Sequence, residues 1–130
     1  MMMQITPFYA GLLTLIHLWL SLRVVQARRL YKVSVGDGGE REIVKRNRAQ
    51  SNWVEYAVIG VVLLGLLELM GANALLLHVF GLAMLLGRAA HAYGFSSKPQ
   101  VVILRQIGMY LTVFDLLAMA LFCIWGGLFW

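Results

Sequence analysis

Four apolar stretches, each about as long as a bilayer is thick, govern what this chain can fold into. A helix needs about 20 apolar residues to cross roughly 30 Å of hydrocarbon, and the stretches at residues 6–27, 52–70, 74–93 and 106–130 meet that requirement in turn. The chain has 130 residues, of which 61% are hydrophobic and 13% charged, and its mean hydropathy is +0.77. Those values exclude an ordinary water-soluble globule and predict an all-α integral membrane protein, one four-helix domain spanning residues 1–130. Two prolines and 13 glycines rule out a collagen-like chain, and a single cysteine rules out an internal disulfide.

The connections have distinct characters. The leader Met1-Met2-Met3-Gln4 lacks the positive charge of a cleavable signal, so the first stretch reads as a retained span. The polar segment 28–50 carries Gly36-Asp37-Gly38-Gly39, a loop signal flanked by helical extensions. Gly71-Ala72-Asn73 is a tight reversal, and Ser96-Ser97-Lys98-Pro99 breaks the chain before the fourth span. Arg28, Arg29, Lys32, Arg41, Lys45, Arg46 and Arg48 sit in the first connection and Lys98 in the third, whereas the second has no Lys or Arg. The positive-inside rule then puts both basic connections in the cytoplasm and both termini on the other side. Topology accounts for the formal net charge of +5, and no interleaved basic and aromatic surface points to nucleic acid. Rings such as Phe8, Trp125 and Trp130 at one boundary, and Tyr31, Trp53 and Tyr110 at the other, read as interfacial belts.

Polar residues inside the spans are few, and each must find a partner, water or an interface, because a mid-bilayer charge costs about 3 kcal/mol on insertion scales. Glu68 lies beside the outer reversal, within reach of headgroups. Asp115 reads as a pin toward Arg88 or a backbone group. His17 and His78 read as packing residues, with no second ligand at metal spacing. The entrance of the second span stands apart. Arg48, Asn52, Glu55 and Ile59 follow i, i+4, i+7, i+11, which puts a cation, an amide and a carboxylate on one helical face. Such a stripe either closes the bundle as an internal ion network or receives a small zwitterion, with Arg48 on a carboxylate and Glu55 on an ammonium.

The segment Arg48-Ala49-Gln50-Ser51-Asn52-Trp53-Val54-Glu55-Tyr56 resembles the Arg-Ala-Gln-x-Asn-x-x-Glu-Tyr signature of the MAPEG family, the membrane-associated proteins in eicosanoid and glutathione metabolism. The stretch from Ser21 to Arg29 is similar to the double-arginine end of that family's first helix. The run from Gly87 to Phe95 is similar to the end of its third. The likeness covers nearly the whole chain and is greatest to short bacterial members. It implies a homotrimer in a bacterial inner membrane with glutathione as cosubstrate, bound between subunits near the cytoplasmic side. Arg48, Asn52, Glu55 and Tyr56 of one subunit, with Arg28 and Gln50 of its neighbour, are implied to hold the tripeptide. Arg105 or Arg29 is implied to stabilise its thiolate. His91 and Tyr93 are the third-helix candidates for contact, with His91 and Phe95 standing where eukaryotic enzymes have tyrosines. The implied activity is a glutathione transferase or peroxidase acting on a lipophilic electrophile or lipid hydroperoxide among the membrane lipids. A noncatalytic scaffold on the same fold is the alternative. A small multidrug transporter is the more distant one, since the first span lacks the acidic residue such proteins use.

Overall fold

A computed structural model describes residues 3–129, so Trp130 and the first two methionines lie outside the described residues. Four helices follow one another: α1 (Ile5–Tyr31), α2 (Arg41–Leu69), α3 (Ala74–Ser96) and α4 (Val102–Phe129). All four are long and apolar enough to cross a membrane, and the described residues contain no strand. At 1.5 Å per residue they measure roughly 35–44 Å, more than the hydrocarbon they cross. The excess lies mostly at one end, where α2 begins eleven residues before Asn52.

Local chemistry sets the ends. α1 stops at Lys32, whose left-handed backbone (φ 55°) directs its N–H back to the carbonyls of Arg28 and Arg29. The loop to α2 turns on Gly36, Gly38 and Gly39, all at positive φ. The α2–α3 reversal uses Gly71 (φ 81°), and the Asn73 side chain caps α3 by accepting from the Leu75 N–H.

α2 and α3 form the middle of the bundle, and α1 and α4 flank them on opposite sides without touching each other. Leu13, Leu20, Ala57, Leu67, Leu77, Met84 and Met119 fill the core. Leu15, Val62, Leu82, Leu117 and many like them face outward, the distribution expected where hydrocarbon is the solvent. The closest approach is between α3 and α4. A Cβ on Gly108 would lie 2.5 Å from both the Gly87 carbonyl oxygen and the His91 nitrogen, and one on Gly94 would lie 2.7 Å from the Arg105 nitrogen. Only glycine fits there, and the two backbones nearly touch beside Arg88, His91 and Arg105.

The two ends of the bundle are tied differently. At the basic end Arg46 donates to the Arg23 carbonyl (2.6 Å), and Arg23 to the Ser96 carbonyl (3.1 Å), linking α1, α2 and α3. At the opposite end Glu68 departs from its expected place among headgroups. It is buried, and its carboxylate accepts from the backbone N–H groups of Gln4 (2.7 Å), Ile5 (2.8 Å) and Thr6 (2.7 Å). Gln4 offers no side-chain cap of its own, so a carboxylate from α2 does that work for α1.

Glu68→Ala should therefore free the N-terminal turn of α1. We expect the amides of residues 4–6 to exchange about tenfold faster and the unfolding free energy to fall by about 1–2 kcal/mol. Hydrogen-exchange mass spectrometry in detergent reads the first directly, and unchanged exchange at those amides would contradict the capping role.

Candidate functional site

The polar stripe of α2 meets α3 and α4 at the basic end, where a cleft of about 340 Å³ opens. α2 contributes Arg48 and Asn52, α3 contributes His91 and Phe95, and α4 contributes Arg105, Gln106, Met109 and Tyr110. No carboxylate is among these lining residues. Its volume falls within the range of about 300–1,000 Å³ common for small-molecule sites.

Beneath the cleft lies Arg88, 1% exposed. Its Nη1 donates to the Asn52 carbonyl (3.2 Å) and to Asn52 Oδ1 (3.0 Å), its Nε to Thr112 Oγ1 (3.1 Å), and its Nη2 to Met109 Sδ (3.8 Å). The guanidinium carbon lies 5.3 Å from the centre of the Tyr56 ring. Thr112 is held in turn by donating to the Gly108 carbonyl (2.7 Å). The expected pairing of Arg88 with Asp115 does not form. The guanidinium is committed to Asn52, Thr112 and Met109, and Asp115 is buried with Oδ2 lacking a hydrogen-bond partner among the described residues. Among those residues the only ion pairs are Glu42 with Arg46 and with Lys98, so Arg88 has no neutralising carboxylate. A buried, hydrogen-bonded but uncompensated cation makes the cleft above it attractive to anions.

That network also orients the lining. Because Asn52 Oδ1 accepts from Arg88, the Asn52 side chain's remaining hydrogen-bonding capacity is its amide N–H pair. His91 Nδ1 lies 3.0 Å from the Arg105 carbonyl, which can only accept, so that nitrogen carries the hydrogen. A neutral ring then leaves Nε2 as an acceptor, and Nε2 is buried without a partner. Arg105 lies over the Phe95 ring (4.8 Å) and makes one long contact to Gln100 Oε1 (3.4 Å). Arg48 makes no hydrogen bond or ion pair to any described residue.

The remaining residues singled out in the sequence are placed elsewhere. Glu55 shares the stripe with Arg48 and Asn52 but is exposed and does not line the cleft. Tyr56 is one layer behind, against Arg88, and Tyr93 points to the exterior. Gln50 donates to Ser21 Oγ on α1 (2.8 Å). Arg28 binds the Gly36 carbonyl (2.7 Å) and lines, with Arg29 and Lys32, a separate open depression at the end of α1. Gln106 does not stand out in the sequence, Met109 reads there as a packing residue and Tyr110 as a belt residue, yet all three line the cleft. The i, i+1, i+4, i+5 placement of Arg105, Gln106, Met109 and Tyr110 on one side of an otherwise aliphatic helix was the available signal.

Residues 6–125 match the model of the MAPEG family. Inner membrane protein YecN of Escherichia coli is 36% identical over 122 residues, covering 94% of this chain and 92% of the relative. The protein of the same name from a second strain of that species matches to the same extent.

Arg88→Ala removes a charged donor from three helices at once and should lower the unfolding free energy by about 2–3 kcal/mol. Tyr93→Phe, at an exposed position outside the cleft, should change it by less than about 0.5 kcal/mol. Denaturant unfolding in a neutral detergent distinguishes them, and equal effects would refute the assignment of Arg88 as the internal tie.

Proposed function

This chain belongs to the MAPEG family, and from that premise we propose that it is a glutathione-dependent transferase or peroxidase of a bacterial inner membrane, working at the cleft between α2, α3 and α4. The observation that carries this reading is the cleft itself: two arginines without acidic partners, an oriented amide and no lining carboxylate, above a buried cation. Glutathione brings two carboxylates, one ammonium, peptide N–H groups and a thiol. Arg48 offers its planar fork to a carboxylate, and Asn52 donates from the amide that Arg88 leaves free. His91 Nε2 accepts from an N–H or S–H of the peptide.

Arg105 is the candidate to stabilise the thiolate. A guanidinium near the sulfur lowers the thiol pKa from its free value of about 8.5, each unit corresponding to about 1.4 kcal/mol. The thiolate sulfur then attacks an electrophilic carbon, forming a C–S bond while the leaving group departs with the displaced electron pair. With a lipid hydroperoxide, sulfur attacks the distal oxygen and the O–O bond breaks. The lipid leaves as its alcohol after taking a proton, and a second glutathione converts the sulfenic acid to the disulfide with loss of water. Ile103, Ile107, Tyr110 and Phe114 are exposed on α4 beside the cleft and suit the approach of a lipophilic substrate from the bilayer.

A homotrimer completes the site in this reading. Farther along α2, Glu55, Val58 and Val62 are exposed on one face of the helix. A neighbour seated there would bring its Arg28, Arg29 and Gln50 toward Glu55. The positive-inside rule puts the basic end, and with it the cleft, on the cytoplasmic side.

Calorimetric titration of the detergent-purified protein with glutathione tests the proposal. Arg48→Ala should weaken binding by about tenfold or more, the loss of a charge-assisted hydrogen bond. Arg105→Gln should spare affinity but move the midpoint of thiolate formation up by about one pH unit, since the anion loses its stabilising cation. Thiolate absorbance reads this, and conjugation of a generic electrophile near neutral pH should slow accordingly. Binding indifferent to Arg48, or absent at millimolar glutathione, would favour the noncatalytic scaffold.

A further inference from the structure

Just beyond the cleft, the first turns of α2 carry further positive charge, of which only Arg48 is shared with the proposed glutathione site. Arg41, Lys45 and Arg48 recur at i, i+4 and i+7, so their side chains share one face of the helix. That face forms one wall of a separate depression of about 440 Å³, and Val44 and Phe95 line it as well. It meets the cleft at Arg48 and Phe95, which line both.

The carboxylates on this depression are already engaged. Glu42 accepts from Arg46 (2.9 Å) and pairs with Lys98 (3.0 Å). Asp37 is folded onto its own turn, where Oδ1 accepts from the Gly39 N–H (2.9 Å). The cations are not neutralised in return. Arg41 and Arg48 have no hydrogen-bond or ion-pair partner among the described residues, and Lys45 reaches only the neutral Ser97 carbonyl (3.3 Å). Glu40 gives α2 no side-chain cap, so the positive end of the helix dipole adds to the same field.

From this arrangement we infer a phosphate-ester site on the first turns of α2, formed by Arg41, Lys45 and Arg48 and filled by the headgroup of an acidic phospholipid. The apolar members of the wall favour a lipid over a free phosphate. Val44 is 41% exposed there, and the Phe95 ring lies beneath Arg105, so an anion carrying hydrocarbon meets both kinds of surface at once. Juxtamembrane lysines and arginines are each worth about a fivefold gain in affinity for an anionic membrane surface. The distinction between a formed site and that diffuse attraction is therefore the point to test. Arg48 is shared with the proposed glutathione site, but Arg41 and Lys45 have no part in the cleft chemistry, so variants at those two positions test the lipid site independently of glutathione binding.

The full-length protein in neutral detergent, titrated with phosphatidylglycerol or phosphatidylcholine and followed by native mass spectrometry, provides the test. Wild type should retain phosphatidylglycerol in preference to phosphatidylcholine. The double variant Arg41→Gln, Lys45→Gln should lose that preference by tenfold or more. Arg29→Gln, Lys32→Gln removes the same charge from the end of α1 and should reduce it by less than threefold. Glycerophosphoglycerol, the same headgroup without acyl chains, distinguishes the sources. Weak binding supports the lipid, whereas binding as tight as the lipid's overturns the lipid assignment in favour of a soluble phosphate ester. Equal losses in the two double variants, or no preference in wild type, would overturn the site. The thermal midpoints of both variants, compared with wild type, guard against misfolding as the cause.

Discussion

A guanidinium buried among three helices organises the basic end of this bundle. Arg88 leaves α3 at a point where the glycines of α3 and α4 allow their backbones nearly to touch, and its donors reach Asn52 on α2 and Thr112 and Met109 on α4. Burying such a charge is costly, and here the compensation comes from neutral oxygens, a thioether and an aromatic face rather than from a carboxylate. Two consequences follow from that choice. The amide of Asn52 is fixed in orientation, and the positive charge is left unneutralised beneath the cleft. An acidic partner in place of Asn52 would hold the helices as well and cancel the field.

The opposite end has the reverse economy. There a carboxylate from α2 meets backbone donors at the start of α1, and the charge is satisfied within the protein. The asymmetry matters for function, because the end that satisfies its own charges has nothing to offer a ligand. At the basic end, Arg48 is unpaired and Arg105 has only one long contact. The depression on the first turns of α2 continues the same pattern, with its acids paired and its bases free.

The helical architecture was legible in the sequence because hydrocarbon thickness imposes a length on apolar runs, and the glycine-rich and basic connections mark the ends. Arg48 and Asn52 were legible as neighbours because helical spacing fixes angular position. Glu55 shows the limit of that rule: it lies on the same stripe, but spacing does not say where the neighbouring helices cease to cover it. Arg88 and Glu68 were hidden for a related reason. Their partners are side chains on two other helices in one case and backbone N–H groups more than 60 positions away in the other, and neither leaves a periodic trace. Opposite charge suggested joining Arg88 to Asp115, but the donors of a buried guanidinium go to the acceptors within reach, and those were Asn52 and Thr112.

The central claim is that glutathione occupies the space bounded by Arg48, Asn52, His91 and Arg105. A difference map from the protein in lipid nanodiscs, with and without saturating glutathione, addresses it most directly. The account predicts new density in the cleft, with one carboxylate against Arg48 and the sulfur nearest Arg105. Density confined to another part of the bundle, or an unchanged cleft at saturating glutathione, would contradict it.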